Sequence, residues 1–470
     1  MPAGTAAVTP PAWRAAALAT LVGGGALGFI AAGGRRGGWL LGGSIAAALA
    51  STVPIVLASR RPPIPPGAPA LDPDGPPPTF SVVVAARDEA AALPGLIGDL
   101  GTQDHRSVDG RPMFELIVVD DRSVDGTPQV ALRAAAAAGL GDVTRLIRRI
   151  GDVPDGKGAA LTAAPPEICR GDVVVVLDGD ARVGPRFLST LAVYLAAGAD
   201  AITPRRRVID AHRSDLAGAQ ADEQTADGLI QRGRWALGGC SEFRGNGIVV
   251  RRDLLAEIGG WRAEALTEDL DLSSRLAAAR GLQVAWAVDA EVWEQPVETW
   301  SALWRQRVRW AEGAVRRTFE HGPAVLRSPR LTLRARLDFA AYAGQLAMPP
   351  LLLGAVAGAV RSGRFGPAAG FVAAYVTAAA GLGWDALRWE QGTDGAPLTQ
   401  QERARRAGRL ALFGMVWVAA VPAALWRLAT RRGPVVYDKM EHTAAGEVVG
   451  GRVAPPGAVG PEARPDEIAG

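Results

Sequence analysis

Cysteine is nearly missing from this chain. Cys169 and Cys240 are the only two in 470 residues, so disulfides do not organise the fold and a reduced compartment fits. Histidine is as sparse: His105, His212, His321 and His442 are scattered and make no zinc-type spacing. Lysine occurs twice, at positions 157 and 439, leaving nearly all the basic charge to arginine. Basic and acidic residues, 51 against 48, almost cancel to a net charge of +3. That balance provides no basic stripe, and no nucleic-acid partner is expected. A nucleotide-binding P-loop is also lacking, because Gly156-Lys157-Gly158 stands without the GxxxxGK[ST] spacing, which excludes an ATPase of that type. Aromatic residues make up only 6% of a chain that is 48% hydrophobic; the apolar content is mostly Ala, Val and Leu.

Those apolar residues are not spread evenly. Residues 15 to 33 and 39 to 58 form two runs, each near the roughly 20 residues that cross a bilayer. The first could be a signal peptide, but a second run comes directly after it; a buried helical hairpin is the other reading. Residues 59 to 78 are dense in proline and read as an extended linker. Arg60 and Arg61 border the second run and favour a cytoplasmic side for the segment beyond them. Three more apolar runs occupy roughly 338 to 360, 366 to 387 and 409 to 428. The organisation expected is two transmembrane helices (1–58), a linker (59–78), a cytoplasmic catalytic domain (79–329), about three transmembrane helices (330–430) and a mostly disordered tail (431–470).

From Phe80 onward the chain alternates strand and helix patterns. FSVVVAA, FELIVVDD, VTRLIRR, DVVVVLD and LQVAWAVD read as strands, several as continuous β-branched runs buried on both faces of a mostly parallel sheet. Ala-rich stretches such as PQVALRAAAAAGL read as helices between them. This alternation predicts an α/β sandwich.

Four segments could carry chemistry. FELIVVDDRSVDGT ends a buried strand in Asp120 and Asp121, at the carboxyl edge where such sheets bind ligands; the same residues could merely cap the next helix. DVVVVLDGDAR runs into Asp178-Gly179-Asp180, two carboxylates that can reach one hard divalent cation, or else an Asp-Gly hairpin turn. In LTEDLD, Thr267 reads as a helix N-cap with Glu268, Asp269 and Asp271 in the first turn; they suit a general base, or only the helix dipole. WSALWRQRVRW places Gln306 and Trp310 on one helix face at i and i+4, among arginines that can bind diphosphate or rest at a membrane surface. FRGNG, 243 to 247, adds glycines that permit close backbone approach.

The order of these segments resembles the family 2 glycosyltransferases, in particular the membrane-bound group of cellulose synthase, hyaluronan synthase and ceramide glucosyltransferase. The family pattern of an opening strand with an acidic pair, DDxS, DxD, TED and QxxRW is met by VVVAARDEA, VVDDRSVDGT, LDGD, LTEDLD and QRVRW. The resemblance implies a nucleotide-diphospho-sugar transferase (GT-A type) domain flanked by transmembrane helices, and a multi-pass protein of the cell membrane. It implies that Asp120, with Asp121 and the Arg87–Glu89 segment, meets the base of a UDP-sugar, and that Lys157 meets the nucleotide or its phosphates. Asp178 and Asp180 would hold the donor and its Mg²⁺ or Mn²⁺. Asp269, beside Glu268, would be the general base, and Gln306, Arg309 and Trp310 would close over the diphosphate. Arg244 departs from the small residue or cysteine of relatives. YDKMEHT, 437 to 443, is similar to a KTEH-like ending of some of them.

The reaction implied is an inverting displacement onto the hydroxyl of a membrane lipid or lipid-linked saccharide. The small-residue spans pack closely and offer a growing polymer few polar contacts, which favours a lipid acceptor over the alternative, a processive polysaccharide synthase. Outside this class stand a transporter, for which Gln345 and Asp385 are the main polar residues in the apolar runs, and an inactive scaffold.

Overall fold

Uninterrupted Val, Ile and Leu set the centre of the molecule. In a computed structural model, which describes residues 9–33, 37–61, 77–151, 154–392, 395–431, 448–449 and 452–453, eight strands form one sheet. They are β1 (Phe80–Ala86), β2 (Phe114–Asp121), β3 (Thr144–Arg149), β4 (Val173–Asp178), β5 (Arg182–Val183), β6 (Ala201–Val208), β7 (Ile248–Arg251) and β8 (Ala285–Glu294), in the order β3-β2-β1-β4-β7-β6-β8-β5. Strands β3, β2, β1 and β4 run parallel, as do β6 and β8. Strand β7 is antiparallel to both its neighbours. The sheet is mixed and mostly parallel, as the buried apolar runs predict.

Helices cover both faces. On one lie α3 (Leu93–Gly101), α4 (Thr127–Ala137) and, C-terminal to β5, α6 (Phe187–Ala196), packed on Val82, Val84, Leu116 and Val175. On the other lie α5 (Lys157–Leu161), α8 (Arg252–Glu257) and α9 (Glu268–Arg280), packed on Val83, Ile117, Val174 and Val176. Alternate residues of one strand thus feed two cores, the expected consequence of a side-chain period of two.

Four helical runs are long and apolar enough to cross a membrane: Pro11–Ala32, Leu333–Ser362, Phe365–Trp389 and Gln400–Thr430. They contain α1 (Pro11–Gly33), α11 (Leu333–Gly344), α12 (Met348–Ser362), α13 (Phe365–Ala386), α14 (Gln400–Phe413) and α15 (Met415–Thr430). Helix α2 (Gly37–Ala58) is apolar too, with a shorter described stretch from Gly42. Helices α1 and α12 touch backbone to backbone: a Cβ on Gly28 would lie 2.0 Å from the Leu351 carbonyl oxygen, and one on Gly354 1.9 Å from that of Gly25. Such small-residue contacts are how apolar helices associate without a hydrophobic drive. Two helices join these runs to the sheet: α7 (Asp215–Ala236), which packs on α2, α13 and α14, and α10 (Trp300–Arg327), which packs between α9 and α15.

Several local expectations change. Just after the DxD, Arg182 and Val183 form β5 against β8, not against β4; the Asp-Gly hairpin is therefore excluded. Strands β6 and β7 carry no sequence signal of the expected kind, since β6 reads AITPRRRV and β7 has four residues. The last strand starts at Ala285 and runs to Glu294, later than LQVAWAVD suggests. Most of the proline-rich linker, 62 to 76, and most of the tail, 432 to 447 with YDKMEHT, 450 to 451 and 454 to 470, lie outside the described residues.

Candidate active site

The carboxyl ends of β1, β2 and β4 open on a cavity of about 260 Å³. Its wall includes Glu89, Asp121, Lys157, Asp178, Asp180, Glu268, Asp269, Gln306, Arg309 and Trp310. Motifs spread over more than two hundred residues therefore meet at one place.

One ammonium ties four of them together. Lys157, at the start of α5, has its Nζ 2.5 Å from Asp178 Oδ1 and 3.3 Å from Glu268 Oε1, and donates to the Gly245 carbonyl at 3.0 Å. Three acceptors match the three protons of the group. Burial alone would lower the lysine's pKa, but Asp178 and Glu268 outweigh it and hold the pKa well above the ordinary value. GKG, DxD, FRGNG and TED are thus held in register by the one lysine of the domain.

The DxD pair is fixed from both sides. The Asp178 amide donates to Asn246 Oδ1 at 3.2 Å, and Asp180 Oδ2 accepts from the Gln295 amide at 3.2 Å. Gly179 between them sits so close to Glu89 that a Cβ would lie 3.0 Å from its Cγ. Two hard carboxylates on one wall have the donor chemistry of a Mg²⁺ or Mn²⁺ site. A different group, Asp271, Glu320 and His321, brings its ligand atoms within 4.8 Å of one another. There Arg262 pairs with Asp271 and Glu320, and Arg275 with Asp271, so positive charge already fills it and it acts as a brace under α9.

Asp269 faces the cavity from the first turn of α9. Thr267 takes the N-cap position, but its hydroxyl makes no capping bond. Burial and the neighbouring Glu268 push the Asp269 carboxyl up to about 6, against the Leu270 amide, Arg244 and Lys157, which favour its charged form. A carboxylate poised near neutrality can take a proton from a hydroxyl.

At the base end the two adjacent aspartates separate. Asp121 lines the cavity and pairs with Arg149 at 2.6 Å and Arg122 at 3.1 Å. Asp120 is fully buried, accepts from the Ser123 amide at 3.2 Å and Arg148 Nε at 3.3 Å, and does not line the cavity. Of the two expected here, Asp121 lines the cavity and Asp120 is enclosed beside it in the strand. Asp88 and Arg122, at the turns after β1 and β2, have φ of 49° and 61°. Such left-handed backbone costs energy in non-glycine residues and gathers at working sites.

On the remaining side α10 presents Gln306, Arg309 and Trp310. Arg307, which the motifs do not single out, supports them from behind: it is 2% exposed, pairs with Glu223 of α7 at 2.5 Å and lies over Trp310, 4.3 Å from the ring centre. Sequence reasoning misses Arg206 and Glu294 as well. They line the cavity as a bidentate pair at 3.0 and 2.5 Å, and Arg206 too lies over Trp310, at 5.6 Å. The one signal for them is RRR on a strand opposite VWEQ. Arg244, the departure in FRGNG, also lines the cavity and pairs with Asp227 at 2.5 Å and with Tyr342 of α11.

Comparison with known proteins supplies the family and the fold. The model of the family described as "Glycosyltransferase like family 2" matches residues 76–313, just over half of the chain. A β-monoglucosyldiacylglycerol synthase of Trichormus variabilis is 29% identical over 385 residues, 79% of this chain and 78% of that one. A poly-β-1,6-N-acetyl-D-glucosamine synthase of Staphylococcus aureus is 31% identical over 86 residues, 18% of this chain and 21% of that one. Among solved structures, a mannosyltransferase of Pyrobaculum calidifontis in complex with GDP-Man and Mn²⁺ superposes with a TM-score of 0.54 at 20% identity, over 81% of this chain and 98% of that one.

Proposed function

This chain belongs to glycosyltransferase family 2 and is a glycosyltransferase with a GT-A fold, and from that premise we propose that it transfers a hexose from a UDP-sugar to the hydroxyl of a membrane lipid, diacylglycerol first among candidates, with inversion at the anomeric carbon. One observation carries the reading: Asp269, with its raised pKa, shares a cavity with Asp178 and Asp180, and another wall of that cavity is α10, which packs on the apolar helix α15. A base, a donor-holding pair and a membrane-side wall then converge on one space.

Asp269 accepts the proton as the acceptor oxygen attacks. The attack comes from the face opposite the diphosphate, so an α-linked donor gives a β product, the linkage in the printed name of the Trichormus relative. Asp178 and Asp180 would hold Mg²⁺ or Mn²⁺, which would offset charge on the departing diphosphate. Arg309 adds a guanidinium on the same side and Trp310 a flat face for a sugar ring. Lys157 keeps Asp178 and Glu268 at fixed separation, which positions donor site and base relative to each other. Glu268, paired with Lys157, acts on Asp269 by charge.

The domain faces the cytoplasm, where nucleotide sugars are made, with α1 and α2 before it and the three later apolar runs behind it in the cell membrane. The match to the Trichormus lipid enzyme spans 79% of this chain and that to the staphylococcal polymer synthase 18%, which favours a single transfer over polymerisation. The test is full-length enzyme in vesicles containing diacylglycerol, given each labelled nucleotide sugar in turn. Label confined to a small, organic-extractable glycolipid of β configuration supports the proposal; water-soluble product of high molecular weight, or retention of the α linkage, refutes it.

A further inference from the structure

A second cavity, of about 540 Å³, lies between α2 and α13, within the ~300–1,000 Å³ range of ligand sites. Leu49, Val53 and Leu57 of α2 and Phe371, Tyr375 and Leu382 of α13 line it. The three α2 side chains are 43%, 49% and 56% exposed. At one end the lining changes character, to Arg60, Asp385 and Arg388. Arg60 reaches Asp385 Oδ1 at 2.7 Å, and Arg388 pairs with the same oxygen. A third guanidinium, that of Arg403, stacks over Trp384 at 4.3 Å from the ring centre and donates its Nε–H to the Trp384 carbonyl. Its Nη2 is buried and has no hydrogen-bond partner among the described residues. Trp384 itself lines the cavity, next in sequence to Asp385, so Arg403 flanks this end through the indole it covers. Two cations share one carboxylate, with a third beside them.

We propose that this cavity seats an anionic phospholipid, one acyl chain lying between α2 and α13 and its headgroup phosphate held by Arg60, Arg388 and Arg403. An apolar slot with a net positive end complements a lipid whose chain is apolar and whose head carries a single negative charge. A neutral diacylglycerol offers that end no charge, and a zwitterionic lipid brings its own cation. Guanidinium groups suit phosphate because their paired N–H groups match its oxygens. Each arginine near an anionic lipid surface contributes roughly fivefold in affinity.

The seat is distinct from the catalytic cavity, with α7 between them. One side of α7 packs on α2 and α13: a Cβ on Gly233 would lie 2.1 Å from the Ile55 carbonyl oxygen, and Ala226 and Leu229 pack with Leu382 and Ala386. The other side holds the catalytic wall. Glu223 pairs with Arg307, Gln224 donates to Glu294 at 2.5 Å, and Asp227 pairs with Arg244. A lipid that braces α2 against α13 therefore also braces the helix that positions Arg307, Glu294 and Arg244.

The inference rests on the membrane placement of these helices proposed with the function. It is tested with full-length protein in vesicles of fixed phosphatidylcholine and phosphatidylglycerol content, with bromine on the chains of either lipid in equal amount. Quenching that disappears in Trp384→Phe reports the cavity alone. Severalfold stronger Trp384 quenching by the brominated phosphatidylglycerol is expected. The preference should fall toward parity in Arg403→Gln, which strands no carboxylate, and in the neutral trio Arg60→Gln, Asp385→Asn, Arg388→Gln. Equal quenching by the two lipids in incorporated wild type, or a preference unchanged in both variants, overturns the seat while leaving glycosyl transfer untouched. Failure of the protein to enter vesicles overturns the membrane placement and the seat together.

Discussion

Replacing Asp269 by Asn is expected to remove catalysis and stabilise the protein at the same time. The carboxyl has been moved from its ordinary 3.8 to about 6, and each pK unit is worth about 1.4 kcal/mol. Ionised Asp269 thus costs the folded state up to about 3 kcal/mol, and about 1–3 kcal/mol once its partial contact with solvent is discounted. Because the folded pKa is the higher one, the folded state holds this proton longer than the unfolded chain. The cost is absent below pH 4, grows between about 4 and 6, and is complete above 6. The amide of the Asp269→Asn variant carries no charge and escapes it.

Kinetics and melting read the two effects separately. kcat should fall at least ~10²-fold, the usual contribution of a general base, while calorimetry shows donor binding retained. The melting temperature of the variant should exceed that of the wild type by several degrees at pH 8, with the gap closing as pH approaches 4. In the wild type, kcat/KM should rise with pH through about 6, since only the carboxylate can accept the proton. Retention of more than about a tenth of kcat, against the 10²-fold expected, would remove Asp269 from the role of base. A variant less stable than wild type at pH 8 would refute the desolvation argument, whatever the kinetics.

Asp180→Ala should weaken UDP-sugar binding measured with Mg²⁺ or Mn²⁺, and chelation should inactivate the wild type; full turnover in excess EDTA would reject the metal. Lys157→Met leaves Asp178 and Glu268 without their shared cation, so stability should fall by up to about 3–5 kcal/mol, as for other buried pairs broken on one side, and kcat/KM should drop with the lost register; near-normal melting and kinetics would show that the clamp is dispensable. Gly313→Ala would put a methyl 2.3 Å from Thr267 Cγ2, overpacking worth about 1–3 kcal/mol and displacing the turn that carries Asp269. Adding Thr267→Ser removes that methyl and should restore activity in part; an unperturbed Gly313→Ala enzyme would mean that α10 and α9 have slack.

The parts of this molecule that were legible from sequence share one property: their signal is local. β1, β2 and β4 announce themselves because a strand buried on both faces needs apolar residues at every position. Gln306 and Trp310 fall together because helical periodicity places them so. What was not legible depends on partners far along the chain. β6 contains a proline and three arginines, and it is a strand because β7 and β8 flank it and because Glu294 and Glu390 neutralise its charges. The choice between Asp120 and Asp121 could not be made either. Neighbours on a strand point to opposite faces, and a doubly covered sheet leaves no polar face to tell them apart. Lys157 read as a weak phosphate contact because its acceptors lie in FRGNG, DxD and TED, the first of them 88 residues away.

The same distinction explains why the α10 wall of the site cannot be understood from the catalytic motifs alone. Trp310 belongs to QxxRW, but the face it presents is set by what stands behind it. Arg307 lies over its ring and is itself fixed by Glu223, which also accepts from Trp417 Nε1 at 2.6 Å. Trp417 is on α15, one of the runs apolar enough to cross a membrane. Glu312, two residues beyond Trp310 and 1% exposed, collects Arg316, Arg427 and Arg431, two of which come from the end of α15 and beyond. Charged groups this deeply covered are costly unless every partner is in place, so α10 keeps its position only while α7 and α15 hold theirs. The donor pocket could be assembled by the sheet and its loops. The α10 wall is assembled with the helices of the apolar region, and the lipid acceptor proposed above would meet the enzyme there.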